Sequence, residues 1–272
     1  SVLAGQISDM TDTTVTAIVG KGSKGNIEAM DAGDAQLGFV QSDVMAYAYN
    51  GTNLFDGAKV DGFSTVAALY MEQVQIVTLN PDIKTVADLK GKTVSVGDSG
   101  SGVYFNALDC LGAYGLTIDD ITPTYQSFGD SVEAMQDGKI DAAFIVAGAP
   151  TTAVTSLAAT RKVYLVELDD EHIDKLIETS PYYSKYTIAK DAYGLDADAT
   201  TVAVGAVVVA RDDVDENDIY NVVAGIYDSL DTLGHDKKNE LDLDFAASVT
   251  AVPYHKGAAK YFAEKGLTVP TK

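Results

Sequence analysis

Short β-rich runs alternate with helix-period stretches along the whole chain. Period-two or continuous apolar runs predict strands at 14–19, 36–40, 73–78, 93–97, 121–125, 141–146, 162–167 and 201–210. Apolar residues three and four apart predict helices at 26–32, 102–114, 130–136, 151–159, 170–179, 216–233 and 254–265. Such alternation predicts an α/β fold, with parallel sheets covered by helices on both faces.

The punctuation agrees. Gly115 and Gly266 each follow a predicted helix, where a left-handed C-terminal cap belongs. Asp215 stands at an N-cap position, and Pro81 with Asp82 opens a turn. The runs 74–79 and 202–210 are read as apolar runs, the first interrupted by Gln75 and Thr78, as in deeply buried strands. Between them lies a self-contained β/α block of about 120 residues, near the usual domain size. The expected organisation is therefore two lobes: residues 1–80 with 203–272, and residues 81–202. The stretch 180–200 is long and weakly patterned, and holds Pro181, Tyr182, Tyr183, Tyr186 and Tyr193. Irregular segments of that length often carry function.

Charge removes several partner classes. The 272 residues include 40 acidic and 19 basic side chains, a formal net charge of −21. Nucleic acid requires a basic footprint that this chain lacks, and an anionic membrane surface is an equally poor partner. No stretch reaches the roughly 18 apolar residues of a membrane span. A basic-then-apolar leader is absent from the first residues, so a signal segment is not expected within this chain. Cys110 is the one cysteine and sits in a helical apolar pattern, which predicts a buried structural thiol. His172, His235 and His255 are widely separated, and no zinc spacing occurs. Neither a metal nor a cofactor is expected.

Four motifs bear on chemistry. The loop Gly20-Lys21-Gly22-Ser23-Lys24-Gly25 matches GxGxxG between a predicted strand and helix, with Asp43 about 20 residues further on. It is the strongest enzyme signal and implies, as the alternative reading, a dinucleotide-dependent oxidoreductase; the plainer reading is a glycine-rich turn. Gly97-Asp98-Ser99-Gly100 is like a serine-protease nucleophile loop, but the partners and the all-β fold are missing. Residues 213–224 begin like a calcium loop, yet Asp218 replaces the required Gly and Ala224 the required Glu. Ser99-Gly100-Ser101-Gly102 joins a strand to a helix. Its glycines admit close approach, its serines add donors, and the helix start offers free N–H groups to a carboxylate.

The segments GKTVSVGDSGSGVYFNALDCLGAYGL and GKIDAAFIVAGAPTTAV resemble the TAXI family, solute-binding proteins of tripartite ATP-independent periplasmic (TRAP) transporters. So do AGDAQLGFVQSDVMAYAYNG, ALYMEQVQIV, PYYSKYTI, TVAVGAVVVAR and VPYHKGAAKYFAEKG, in family order across nearly the whole chain. The resemblance implies a two-lobed periplasmic-binding-protein-like (type II) fold with a ligand cleft between lobes joined by crossing strands. It implies an extracytoplasmic, monomeric, non-enzymatic receptor that closes on a small carboxylate or amino acid, glutamate- or glutamine-like. Delivery would be to a TRAP-type permease, without insertion into the membrane. Family members usually begin with a strand and a tyrosine-containing, glycine-rich loop; this chain is expected to begin inside the helix that follows. Met71 and Lys256 stand where the family has proline, and Asp98 is an added acid.

Open α/β sheets bind ligands beyond the carboxyl ends of their strands. That rule selects Gln41, Ser42 and Asp43 after one predicted strand, Ser99, Gly100, Ser101 and Gly102 after a second, and Gly148, Ala149 and Pro150 after a third. Tyr70, Glu72 and Tyr182 join them, with Glu72 a candidate acceptor for a ligand ammonium or amide. The chain has only two arginines, Arg161 and Arg211, so no bidentate clamp is expected and a helix N-terminus must do more of any carboxylate binding.

Overall fold

The computed structural model describes residues 1–272, the side chain of Asp236 apart. In chain order it contains α1 (Val2–Met10), α2 (Gly22–Asp31), β1 (Leu37–Gln41), α3 (Ser42–Asn50) and the long strand β2 (Phe63–Thr78). There follow β3 (Thr93–Ser95), α4 (Gly102–Ala113), β4 (Thr122–Thr124), α5 (Phe128–Gln136), β5 (Ala142–Ala147) and α6 (Thr152–Ala158). The last elements are β6 (Tyr164–Leu165), α7 (Asp170–Thr179), β7 (Ser184–Ile188), β8 (Ala199–Arg211), α8 (Glu216–Tyr227), α9 (Leu243–Ala246) and α10 (Lys256–Glu264). The chain divides into two compact units, Ser1–Tyr70 with Gly205–Lys272, and Met71–Val204. β2 and β8 carry the chain from one unit to the other.

In the first unit β1 pairs antiparallel with β8, from Leu37 opposite Ala210 to Gln41 opposite Ala206. Ile219, Val222, Val223 and Ile226 recur at helical spacing on α8 and bury one stripe beside Tyr254, Tyr261 and Phe262. Asp215 caps α8 by accepting the Asn217 N–H at 2.8 Å. α8 and α10 approach closely at Gly257, where a Cβ would lie 2.1 Å from the Glu216 carbonyl oxygen. α2 blocks the outer edge of β1. Asn26 Nδ2 donates to the Phe39 carbonyl at 2.8 Å, and the Gln41 N–H donates to Ser23 Oγ at 3.1 Å.

In the second unit β3 lies parallel to both β4 and β5. β5 also pairs antiparallel with β2, Gln73 opposite Ala147 through Thr78 opposite Ala142. β7 pairs antiparallel with β8. The sheet is thus mixed rather than wholly parallel as expected, because β2 and β8 enter from the other unit instead of by a helical crossover. Alternate side chains of β5 serve opposite faces. Ala142, Phe144 and Val146 pack with α4 and α7, while Ala143 and Ile145 pack with α5 and α6. Helices cover both faces, and Cys110 is a wholly buried member of the first of these cores.

Two expected elements differ. Residues 13–21 form no strand, and Ile18 and Val19 are 68% and 97% exposed. The helix expected over 216–233 stops at Tyr227, its C-cap being Asp228.

Candidate functional site

Because β3, β4 and β5 run parallel, their carboxyl ends share one edge of the second unit. Each is followed by a short loop and a helix, so α4, α5 and α6 all begin at that edge. Helix N-termini carry partial positive charge and N–H groups without intrahelical acceptors.

The loop before α4 is shaped by two glycines. Gly97 has φ of 80° and Gly100 has φ of 85°, conformations that disfavour any side chain. A Cβ on Gly97 would come within 2.6 Å of Val103 Cβ and 2.9 Å of Ser101 Oγ. The Ser101 N–H donates to the Asp98 carbonyl at 3.0 Å, closing the turn. Ser101 is the N-cap of α4, with the extended backbone suited to capping, yet its hydroxyl accepts nothing from the helix. Its oxygen is buried and has no hydrogen-bond partner among the described residues. At five other helices the cap is used: Ser127 accepts the Asp130 N–H at the start of α5, Asp169, Asp215 and Asp242 cap α7, α8 and α9, and His255 caps α10, whereas Thr151 at the start of α6 makes no such bond. What sets Ser101 apart is that its hydroxyl is buried with its hydrogen-bonding capacity unused, a group that a ligand can engage. Ser99 is exposed and Gly102 buried in the same loop.

The adjacent segment 147–151 leads from β5 to α6 through a cis Ala149–Pro150 bond. Buried side chains hold it. Gln73 Oε1 accepts the Ala149 N–H at 2.6 Å. Gln75 Nε2 donates to the Ala147 carbonyl at 3.0 Å and to Thr151 Oγ1 at 2.9 Å. Tyr193 Oη accepts the Thr151 N–H and donates to Gln75 Oε1. Burial pushes the Tyr193 phenol above its ordinary pKa, which keeps it a neutral donor. Gly148 and Ala149 are half-buried and Pro150 is exposed.

Sequence reasoning missed this polar network. Its legible signal was Gln73 and Gln75, two glutamines on one face of an otherwise apolar strand. Glu72, half-buried, immediately precedes the Gln73–Ala147 pair and so lies along the same segment. Tyr182, also half-buried, precedes Tyr183, which is fastened to α4. Asn106 Nδ2 donates to Tyr183 Oη, and Tyr183 Oη to Asp109 Oδ2, each at 2.8 Å.

In the first unit Gln41, Ser42 and Asp43 stand where β1 runs directly into α3, and all three are buried. Ser42 Oγ accepts the Gly205 N–H at 2.9 Å, so a backbone group of β8 already engages that hydroxyl. Asp43 is wholly buried in the first turn of α3. Tyr70 is half-buried, with Lys237 Nζ 5.0 Å from its ring centre. Within the second unit the fold therefore brings residues 99–102 and 148–150 to the ends of neighbouring strands. Residues 41–43 form a separate set in the first.

The dinucleotide reading fails on geometry. No strand precedes the 20–25 loop, Gly22 already opens α2, and Gly25 lies inside that helix. A phosphate-cradling turn needs strand, loop and helix in that order. Asp43, two residues past the end of β1, is wholly buried in the first turn of α3 and presents no carboxylate to a ribose. The histidines serve structure: His255 caps α10 by accepting the Gly257 N–H, and His172 pairs with Asp169 while stacking on Tyr114. Among the described residues no group of three or more His, Cys, Asp or Glu could hold a metal. No described helix is long and apolar enough to cross a membrane.

Comparison with known proteins agrees with this architecture. A 70-residue stretch, 26% of this chain, is 43% identical to an Escherichia coli (strain K12) protein named for binding aliphatic sulfonates, and spans only 22% of that protein. Among solved structures, the alkanesulfonate-binding protein SsuA from Xanthomonas axonopodis pv. citri bound to MOPS superposes with a TM-score of 0.55 at 18% identity. That match covers 96% of this chain and 78% of the other. A Listeria monocytogenes protein assigned to an L-cystine ABC transporter gives a TM-score of 0.55 at 15% identity, covering 90% and 86%. The fold is thus the α/β, type II periplasmic-binding-protein fold. The model of the NMT1-like family matches residues 2–266, and the chain belongs to that family.

Proposed function

We propose that this protein is an extracytoplasmic receptor that captures a small acidic solute, a carboxylate, sulfonate or amino acid, and delivers it to a membrane permease. The observation that carries the reading is the start of α4. A glycine-shaped loop leaves the helix uncapped and Ser101 Oγ buried without a partner, beside the α6 start held by Gln73 and Gln75. Free N–H groups, a hydroxyl and a helix N-terminus bind an anion without a basic side chain. Binding relatives of the same fold support a role without catalysis. Residues 41–43 with Tyr70, and Glu72 with Tyr182, are proposed as further solute contacts, Glu72 accepting from an ammonium or amide.

A TRAP-type permease is supported by the ordered TAXI-like segments, and glutamate or glutamine by the same resemblance. An ATP-driven importer is the second reading, favoured by the likeness to a protein assigned to an L-cystine ABC transporter. Uptake in cells carrying this protein and its permease separates the two. An ion-driven system stops when the ion gradient is collapsed at constant ATP, and an ATP-driven one continues.

Native mass spectrometry of the purified protein identifies a retained solute. Ser101→Asp then places a negative charge at the α4 start, and like-charge repulsion there costs about 2 kcal/mol or more of affinity for an anion. Unchanged affinity would reduce the loop to a turn. Glu72→Gln should weaken an amino acid about tenfold, the loss of one charge-assisted hydrogen bond, and spare the matching 2-oxo acid.

A further inference from the structure

The segments that open α4, α5 and α6 carry no positive side chain. Residues 96–104, 125–130 and 147–152 contain no Lys, Arg or His, but include Asp98 and Asp130. The lysines next to these strands lie at the opposite, amino-terminal edge. Lys90 and Lys92 precede β3 and Lys139 precedes β5, with Lys90 paired to Asp120 and Lys139 to Asp137. Asp130 is engaged, accepting the Ser127 hydroxyl at 2.7 Å. Asp98 is exposed and sits three residues before the N-cap, on the turn that its own carbonyl closes with the Ser101 N–H.

A helix start and a hydroxyl supply dipoles. Those suffice for one negative charge, which a single helix end offsets by about half an elementary charge. A second charge on the same ligand would meet no cation from these segments and would feel the Asp98 carboxylate within about one Debye length. We infer that this edge selects singly charged acids, carboxylates or sulfonates, against doubly charged ones such as phosphate monoesters, and that Asp98 is a specificity-determining residue. The inference rests on the solute-binding reading and adds the charge class of the solute to it. The buried, partnerless Ser101 oxygen marks the point at which the anion docks.

The test uses the full chain at one pH, 8, with three probes: methanesulfonate and dimethyl phosphate, each singly charged, and methyl phosphate, doubly charged. Affinities are read by calorimetry or by quenching of tyrosine emission, the chain having no tryptophan. The two singly charged probes should bind, and methyl phosphate should bind about tenfold or more weakly. Asp98→Asn should narrow that gap about threefold, because removing a charge helps a dianion twice as much, in logarithmic terms, as a monoanion. Asp98→Ser is the second variant should the first fold poorly. Methyl phosphate binding as tightly as dimethyl phosphate, or Asp98→Asn shifting all probes by one factor, would overturn the inference while leaving the receptor reading intact. If no anion binds and a neutral or cationic solute is found instead, anion capture at α4 falls, and the inference falls with it.

Discussion

Thr151 and Tyr193, 42 residues apart, are joined by a 2.7 Å hydrogen bond from the Thr151 N–H to the tyrosine hydroxyl. Thr151 is the N-cap of α6, so a side chain from the irregular stretch 180–200 takes up a backbone donor at the helix start. The same hydroxyl donates to the wholly buried Gln75. Tyr193→Phe keeps the ring and removes the hub, leaving the N–H of half-buried Thr151 and the buried Gln75 amide oxygen unpaired. A loss of about 1–3 kcal/mol in unfolding free energy is expected. Urea denaturation measures it, and an unchanged midpoint would mean that water replaces the hydroxyl.

Gly97→Ala combines two penalties. The residue sits at φ of 80°, and its Cβ would press on Val103 and Ser101. The backbone term alone is about 1 kcal/mol or more, and the contact requires the start of α4 to shift. Stability and solute affinity should both fall. Gly138→Ala has a similar φ of 69° with open space around its Cβ, and isolates the backbone term.

Ser42→Ala tests how that hydroxyl is used in the first unit. Its oxygen accepts the Gly205 N–H, and both groups are buried. Stability should fall by about 1–3 kcal/mol, measured by chemical denaturation. If affinity for the identified solute falls as well, Ser42 also contacts the solute; the stability loss is expected either way.

Asp169 gives a defined acid limb. Its carboxylate accepts from His172 and from the Tyr114 hydroxyl, and the His172 side chain foremost holds its pKa down to about 2 from 3.8. A carboxyl whose folded pKa is depressed stabilises the fold above its unfolded pKa and loses that contribution as protons bind. The stabilisation should therefore be full above pH 3.8 and disappear as pH falls towards about 2. Solvent around this half-exposed group keeps the effect modest. Asp169→Asn should flatten thermal melting against pH in that window only.

Solute should alter the dimensions of the protein if the two units close about the strands that connect them, at residues 70–71 and 204–205. Small-angle scattering with and without the identified solute reads this directly. A smaller radius of gyration on binding is expected, and an unchanged one would describe a rigid receptor.

Local chemistry was legible from the sequence alone. Gly115 and Gly266 have positive φ at the ends of α4 and α10. Asp215 caps α8, and the runs 74–77, Gln75 included, and 202–210 are buried. Much of the order of strands and helices, with α1, α3, β7 and α9 unread, and the glycine-serine turn between β3 and α4, follow from propensities acting within a few residues. Where a partner was required, the pattern misled or was silent. Residues 14–19 have the β-branched composition of a strand but meet no neighbouring strand, and a strand exists only as one member of a ladder. α3 is buried on every side from Ser42 to Ala48, so it has no apolar face to show a period. Tertiary structure alone decided that Ser101 would leave its helix uncapped while Ser127 caps its own, and that Tyr193 would reach Gln75 across 118 positions. Those outcomes depend on which donors and acceptors the completed sheet brings within 3 Å of one another, and spacing along a chain carries no record of that.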